Sequence, residues 1–303
     1  LKPVEIVTHE SVRRRGGGFS TCGCWYTDTE FVLKGLQIMC GIAGFVNDMP
    51  IDVKCPVLQR MTDMIAHRGP DSEGHYIDEH AALGHRRLSI IDLGGGQQAI
   101  YNEDGSKVIT FNGEIYNYQT LREELIAAGH TFTTKSDTEV LLHGYEQWGV
   151  DLLQRVRGMF TFVIWDKNKQ ELFGARDHFG IKPFYYAKMN GTFMYASEIK
   201  SLLRHPDFVK ELNAEALKPY MTFQYPAIGE TFFKGVYKLP EGHYFTYRDG
   251  KMDIHRYYDE DFREGKQKLG ELVNSIDQTV CDSVKAHQIA DVEVGSFLSS
   301  GVD

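Results

Sequence analysis

The sequence predicts an α+β layered sandwich over residues 40–200, and three observations carry that prediction. Short apolar strands recur in clusters joined by hairpin turns such as Asn102-Glu-Asp-Gly105 and Asn190-Gly191, the mark of antiparallel pairing. Segments of helical period at 53–67, 118–128 and 136–148 stand in groups between those clusters, which disfavours strict βαβ alternation and a parallel sheet. The composition is ordinary for a globular chain, with 42% hydrophobic and 25% charged residues among 303.

The elements follow in order. Cys40-Gly-Ile-Ala-Gly-Phe-Val46 is a Gly-punctuated buried strand that begins at the cysteine. Val57, Leu58, Met61 and Ile65 lie on one face of a helix over 53–67, and the loop His67-Arg-Gly-Pro-Asp71 stops it. Strands are expected at 75–77, 81–91 and 107–111, then a helix at 118–128 ended by Gly129. Ser136 or Asp137 can cap the next helix, which runs to Trp148. Further strands are expected at 159–165, 171–175, 184–188 and 192–196. Phe160, Phe162 and Trp165 alternate along the first of them and read as core. Residues 205–262 are irregular and rich in Tyr and Phe, with one hairpin at Arg248-Asp-Gly250. A helix at 267–287 and a buried strand at 292–298 close the sequence.

Residues 1–38 differ from all of this. Arg13-Arg14-Arg15-Gly16-Gly17-Gly18 is charged and then flexible, and no apolar core of a secretory signal is present. The chain begins with Leu1, and three origins for the leader stay open: upstream sequence translated in frame, a propeptide, or a real disordered extension. The expected organisation is a leader at 1–38, a core at 40–204, its C-terminal part and a linker at 205–262, and the start of a second domain at 263–303.

A net charge of -9 argues against a nucleic-acid or anionic-membrane surface, and no apolar run reaches the roughly 20 residues of a membrane span. Five scattered cysteines make a poor disulfide framework and suit a reducing cytosol, so a cytoplasmic location is expected. Cys22 and Cys24 lack the spacing of a zinc site, and His67, His85 and His178 fall in three separate motifs without ligand spacing. Loop hydrogen bonding is the expected role of those histidines, and no metal is expected.

Cys40 follows Met39 and precedes Gly41, a context in which the initiator Met can be removed. The exposed residue would then own both a thiol and an α-amine. The amine pKa of ~8 is well matched to a thiol of about 8.5, so one residue can supply nucleophile and base. Taken alone, Cys40 reads as well as a small buried core cysteine. Likewise Asn112-Gly113 alone reads as a hairpin turn, and Arg87 and Asp137 alone as surface ion-pair partners.

The ordered motifs change this. Cys40-Gly-Ile-Ala-Gly, His67-Arg-Gly-Pro-Asp71, Arg87-Leu-Ser-Ile-Ile-Asp92, Phe111-Asn-Gly-Glu-Ile-Tyr-Asn117 and Ser136-Asp-Thr-Glu139 occur with short gaps. Gly-Ala-Arg-Asp-His-Phe-Gly-Ile-Lys-Pro (174–183) and Ala-Ser-Glu-Ile-Lys (196–200) extend the series. Together they closely resemble the glutaminase domain of glutamine-dependent asparagine synthetases, a class II glutamine amidotransferase. The resemblance implies a four-layer αββα sandwich of the N-terminal-nucleophile hydrolase type. It implies Cys40 as nucleophile, and Asn112 and Gly113 as an oxyanion hole, where loss of one donor typically costs ~3 kcal/mol of barrier. It also implies that Arg87 grips the α-carboxylate of glutamine, and that Asp137 and Glu114 lie at its amine. Arg86 points to the opposite face if 85–90 is a strand, so only one of the two arginines can line the pocket.

The last segment, Ser299-Ser300-Gly301-Val302-Asp303, looks like the start of the pyrophosphate-binding loop of an α/β ATP-pyrophosphatase-type domain, with Ser300 in place of the usual first Gly. The resemblance therefore implies glutamine as the ligand of the first domain, which needs no cofactor. For an intact enzyme it implies ATP, Mg²⁺ and aspartate. This 303-residue chain is expected to act as a glutaminase at most, and a homodimer is an open expectation. Two alternatives are a β-lactam-forming relative that has lost glutamine hydrolysis, and a non-catalytic glutamine-binding domain. The joint presence of Cys40, Arg87, Asn112 and Asp137 argues against the first.

Overall fold

A computed structural model describes residues 39–225, 229–265 and 267–293. Residues 39–265 belong to one unit and 267–293 to another, and each is described by itself.

In the first unit, strands pair antiparallel into two six-stranded sheets, and the central strands are buried along nearly their whole length, as a sandwich covered on both faces requires. Sheet one runs in the order β10 (Val236–Lys238), β8 (Tyr185–Met189), β9 (Thr192–Ala196), β1 (Gly41–Val46), β3 (Ala81–Arg87), β2 (Ser72–Ile77). Sheet two runs β12 (Lys251–Arg256), β11 (His243–Arg248), β7 (Glu171–Arg176), β6 (Gly158–Asp166), β5 (Lys107–Ile115), β4 (Ile100–Tyr101). The segment 205–262 therefore supplies strands to both sheets.

Side-chain alternation then builds the layers. Ile42, Leu83, Val163, Trp165, Leu172, Phe193 and Phe245 fill the space between the sheets. On the other side of sheet one, Ala43, Phe45, Met194 and Leu202 meet Leu58 and Met61 of α1 (Ile51–Asp63). Each large side chain buried this way contributes on the order of 2 kcal/mol. Sheet two is covered by α3 (Asp137–Trp148), with Tyr145 stacked on Phe173 of β7 at 4.6 Å, and α3 packs on α2 (Tyr118–Ala127). The result is the helix–sheet–sheet–helix order. Phe160 and Phe162 share one face of β6 and Trp165 takes the other, so these three core residues serve two different layers.

β1 lies in the middle of sheet one, paired with β3 and β9. Gly44 is required there, because a Cβ would stand 2.5 Å from both the Tyr195 hydroxyl and the Ala82 carbonyl oxygen. Two boundaries differ from the sequence expectation. β3 stops at Arg87 rather than continuing to Ile91, and β5 continues through Asn112-Gly113 to Ile115. The first frees the chain at Leu88 to turn toward Cys40. The second places Asn112 and Gly113 inside a strand, paired with Thr161 and Phe160, so they form no hairpin turn.

In the second unit, α4 (Leu269–Ala286) carries an apolar stripe of Leu269, Leu272, Val273, Ile276, Val280 and Val284, all exposed. The expected strand at 292–298 falls almost entirely outside the described residues, as do the leader 1–38 and the loop Ser299, Ser300, Gly301, Asp303. Among the described residues, no helix is long and apolar enough to cross a membrane.

Candidate active site

Cys40 stands immediately before β1, at the mouth of a pocket lined also by Arg87, Asn112, Gly113, Glu114 and Asp137. The fold thus brings together all six residues singled out for glutamine from four separate motifs. Sγ of Cys40 accepts from the backbone N–H of Leu88 at 3.3 Å and lies 3.4 Å from the Leu88 carbonyl oxygen. Burial pushes the Cys40 thiol up, while the Leu88 N–H and the charges of Lys182 and Arg87 draw it part of the way back. A thiol held up in this way reacts only when a base takes its proton.

The loop after α1 fixes the backbone of the nucleophile. Arg68 Nε donates to the Cys40 carbonyl at 3.0 Å, and Arg68 Nη1 is paired with Glu198 at 3.1 Å. Gly69 allows this approach, since a Cβ would lie 2.2 Å from the Arg86 carbonyl carbon. Asp71 accepts the Ser89 N–H at 2.8 Å and so holds the turn that follows β3.

Arg86 and Arg87 diverge from β3 as period-two geometry requires. Arg86 pairs with Asp63 at 2.5 Å and Glu73 at 2.7 Å on the outer face. Arg87 is buried, and one of its terminal nitrogens donates to the carbonyls of Ile91 and Asp92 at 3.0 and 2.6 Å. A guanidinium has five N–H donors, so donors remain for a carboxylate.

The edge of β5 supplies the oxyanion geometry. In an antiparallel strand alternate residues turn their N–H groups to the same edge. The N–H of Phe111 donates to Gln98 Oε1 at 2.6 Å, and that of Ile115 to Asp137 Oδ2 at 3.0 Å. Gly113 lies between them on that edge. Its partner across the ladder, Phe160, turns both its N–H and its carbonyl to Asp177, at 3.2 and 2.8 Å. The N–H of Gly113 therefore faces the pocket and not β6. A Cβ on Gly113 would lie 2.2 Å from the Met159 carbonyl oxygen, so the strand can pair this closely only with glycine. Asn112 is 1% exposed, and its Nδ2 has no hydrogen-bond partner among the described residues. A buried unpaired amide donor costs about 1–3 kcal/mol, and a carbonyl oxygen in the pocket would relieve that cost.

Asp137 is the first residue of α3, whose N-cap Ser136 accepts the Thr138 N–H at 3.2 Å. Burial first, and then the charge of Glu114, push its carboxyl up to about 7, against the pull of the Ile115 N–H. A cation bound at this place would favour the ionised form.

Lys182 and Gln98 line the pocket as well and have no counterpart among the expected site residues. Lys182 is buried, burial lowers its pKa, and its charge is felt by Cys40 and Glu114. Its Nζ rests 3.6 Å from the Sδ of Met39, which also lines the pocket. Gln98 bridges Phe111 to Thr138 Oγ1, the latter at 3.2 Å. Lys182 lies within the 174–183 motif, so an isolated lysine between Ile181 and Pro183 was a visible signal. Gln98 offered none.

The three motif histidines are dispersed. His67 binds Glu198 at 2.9 Å in its loop, and His178 stacks on Tyr258 at 4.0 Å. His85 lies within β3, inside the strand expected at 81–91, and does not take the loop hydrogen-bonding role expected of it; burial lowers its pKa to about 3 and keeps it neutral.

The chain matches the glutamine amidotransferase domain family over residues 39–258. It is 45% identical to asparagine synthetase [glutamine-hydrolyzing] 1 of Bacillus subtilis over 269 residues, covering 88% of this chain and 42% of that protein. It is 34% identical to the amidase chry2 of Gibberella zeae, covering 88% of this chain and 41% of the relative. The chain thus spans less than half the length of these relatives. Among solved structures, the glutamine phosphoribosylpyrophosphate amidotransferase of B. subtilis superposes with a TM-score of 0.55 at 17% identity, over 73% of this chain and 50% of the other. That likeness establishes a shared sandwich fold. By the extent of the family match, the chain belongs to the glutamine amidotransferase domain family.

Proposed function

We propose that this domain hydrolyses glutamine at Cys40 and that the released ammonia serves asparagine synthesis in the complete protein. The observation that carries the reading is the buried Asn112 amide, left without a partner in the same pocket as the Cys40 thiol and beside the inward N–H of Gly113.

The chemistry follows from those positions. Arg87 receives the α-carboxylate of glutamine, and Asp137, assisted by Glu114, receives its α-ammonium. The side-chain amide then reaches Cys40. The α-amine of an N-terminal Cys40 takes the thiol proton, and sulfur bonds to the amide carbon. The carbonyl oxygen becomes an oxyanion that accepts from Asn112 Nδ2 and the Gly113 N–H. The intermediate collapses as the amine returns the proton to nitrogen, the C–N bond breaks and ammonia leaves. Water then cleaves the thioester to give glutamate and the free thiol.

In the complete protein, ATP and Mg²⁺ would activate the side-chain carboxylate of aspartate, and ammonia would displace AMP. Ser299, Ser300, Gly301 and Asp303 are proposed to begin the ATP loop, and the setting is the cytoplasm. Support for this half rests on the 45% identity to the B. subtilis enzyme. The proposal is tested by glutamate release from glutamine. Cys40→Ala is expected to abolish release while glutamine still binds, and substantial residual turnover would remove Cys40 from the role of nucleophile.

A further inference from the structure

Away from the pocket, four side chains from three separate segments converge beside α3. Glu103 stands in the turn between β4 and β5, His130 follows α2, and His143 and Glu146 lie one turn apart on α3. One ligand atom from each lies within 4.8 Å of all the others. His143 Nδ1 is 3.2 Å from Glu146 Oε2 and 3.4 Å from Glu103 Oε2, and His130 Nδ1 is 3.2 Å from Glu103 Oε1. Donors set tetrahedrally at roughly 2.0–2.1 Å around a zinc ion stand about 3.3–3.4 Å from one another. These three separations lie near that edge length, two of them to different oxygens of Glu103, and one ligand atom from each residue comes within 4.8 Å of all the others.

The outer contacts point the same way. His143 Nε2 faces Glu139 Oε1 at 3.6 Å, and His130 Nε2 faces Gln147 Oε1 at 3.2 Å. The Gln147 oxygen can hold the His130 proton on its outer nitrogen and turn Nδ1 inward, the usual arrangement behind metal-bound histidine, while Glu139 stands behind His143 beyond hydrogen-bond reach. Glu139 is itself immobilised by the N–H and hydroxyl groups of Thr133 and Thr134, at 2.6–2.9 Å. Glu146 Oε1 is held outward by Asn102 Nδ2 at 2.7 Å, which leaves Oε2 facing the cluster. Two carboxylates facing two imidazoles suit a divalent cation, and Lys107 Nζ lies 3.4 Å from the outward Glu146 Oε1.

We propose that Glu103, His130, His143 and Glu146 form a binding site for a divalent transition-metal ion of the zinc type. The N₂O₂ donor set lacks soft sulfur and oxygen-rich coordination, which favours zinc over copper(I) or calcium. Four protein ligands close the coordination sphere, so the site is structural and not catalytic. It clips the β4–β5 turn, the exit of α2 and the body of α3, the helix whose first residue is Asp137.

The test uses the full chain, stripped with chelator and titrated with Zn²⁺ alone, with bound metal measured after equilibrium dialysis and thermal unfolding followed in parallel. One zinc per chain and an unfolding midpoint that rises with zinc concentration are expected. Glu103→Gln replaces a half-exposed ligand without disturbing the core, and should weaken binding at least ~10-fold and suppress the thermal shift. His143→Ala should abolish both. Zinc binding unchanged in Glu103→Gln, or a stripped chain that takes up no zinc, overturns the site and leaves an imidazolium–carboxylate network in its place.

Discussion

The Asp137 carboxylate accepts the backbone N–H of Ile115 at 3.0 Å, two residues along β5 from Gly113. The helix that carries the proposed ammonium-binding group is thereby tied to the strand that carries the proposed oxyanion hole. A displacement of one moves the other. Binding of the amino-acid head and stabilisation of the reacting carbonyl share one hydrogen-bonded frame.

Asp137 gives a pH prediction. Its carboxyl is raised to about 7 by burial and by Glu114, and an ammonium requires the ionised form. Below pH 7 the apparent KM for glutamine should rise about tenfold per unit, and above it should level off. Asp137→Asn should have a high KM without this slope. The stability effect has the opposite sign: a carboxyl raised above its unfolded value near ~3.9 costs stability as pH climbs from there through 7. Asp137→Asn should therefore unfold at a higher temperature than the parent at pH 8, and not at pH 4, by scanning calorimetry.

Asn112→Ala removes a donor expected to act on the oxyanion rather than on bound glutamine. Glutaminase kcat should fall ~10²–10³-fold, with glutamine affinity changed little. Equilibrium binding measured beside steady-state kinetics separates the two quantities. A loss confined to KM would place Asn112 in substrate binding only.

Lys182→Met removes a buried positive charge that favours the Cys40 thiolate. The pH midpoint for alkylation of Cys40 by iodoacetamide should move upward. An unchanged midpoint would mean that the lysine charge is not felt at sulfur.

The sequence and the structure agree best where a signal is local. Ser136 caps its helix as its type predicts, and Asn190-Gly191 turns the β8–β9 hairpin with both residues at positive φ, 50 and 82°. Disagreement arises where a distant partner decides. Asn112-Gly113 has the composition of a turn, yet nine paired positions with β6 extend the strand through it. Leu88 belongs to an apolar run, but its peptide meets the Cys40 thiol and the strand ends before it. The pocket residues Cys40, Arg87, Asn112, Gly113, Glu114 and Asp137 were legible because each sits in an ordered motif. Gln98 was not, since its role is set by Phe111 and Thr138 far along the chain. Of the proposed metal ligands, only the His143–Glu146 spacing is local, and a helical i, i+3 pair alone is commonplace.

The central claim is that the α-amine of Cys40 is the base that activates its own thiol. Met39 lines the pocket beside Cys40, and while it is attached the Cys40 nitrogen is a peptide amide without a basic lone pair. Glutamate release should therefore be measured for chains begun at Leu1 and at Met39, with N-terminal mass spectrometry on both. Activity is expected only from species whose first residue is Cys40. Turnover by an uncleaved chain that still begins at Leu1 would contradict the mechanism, because another group would then have to take the thiol proton.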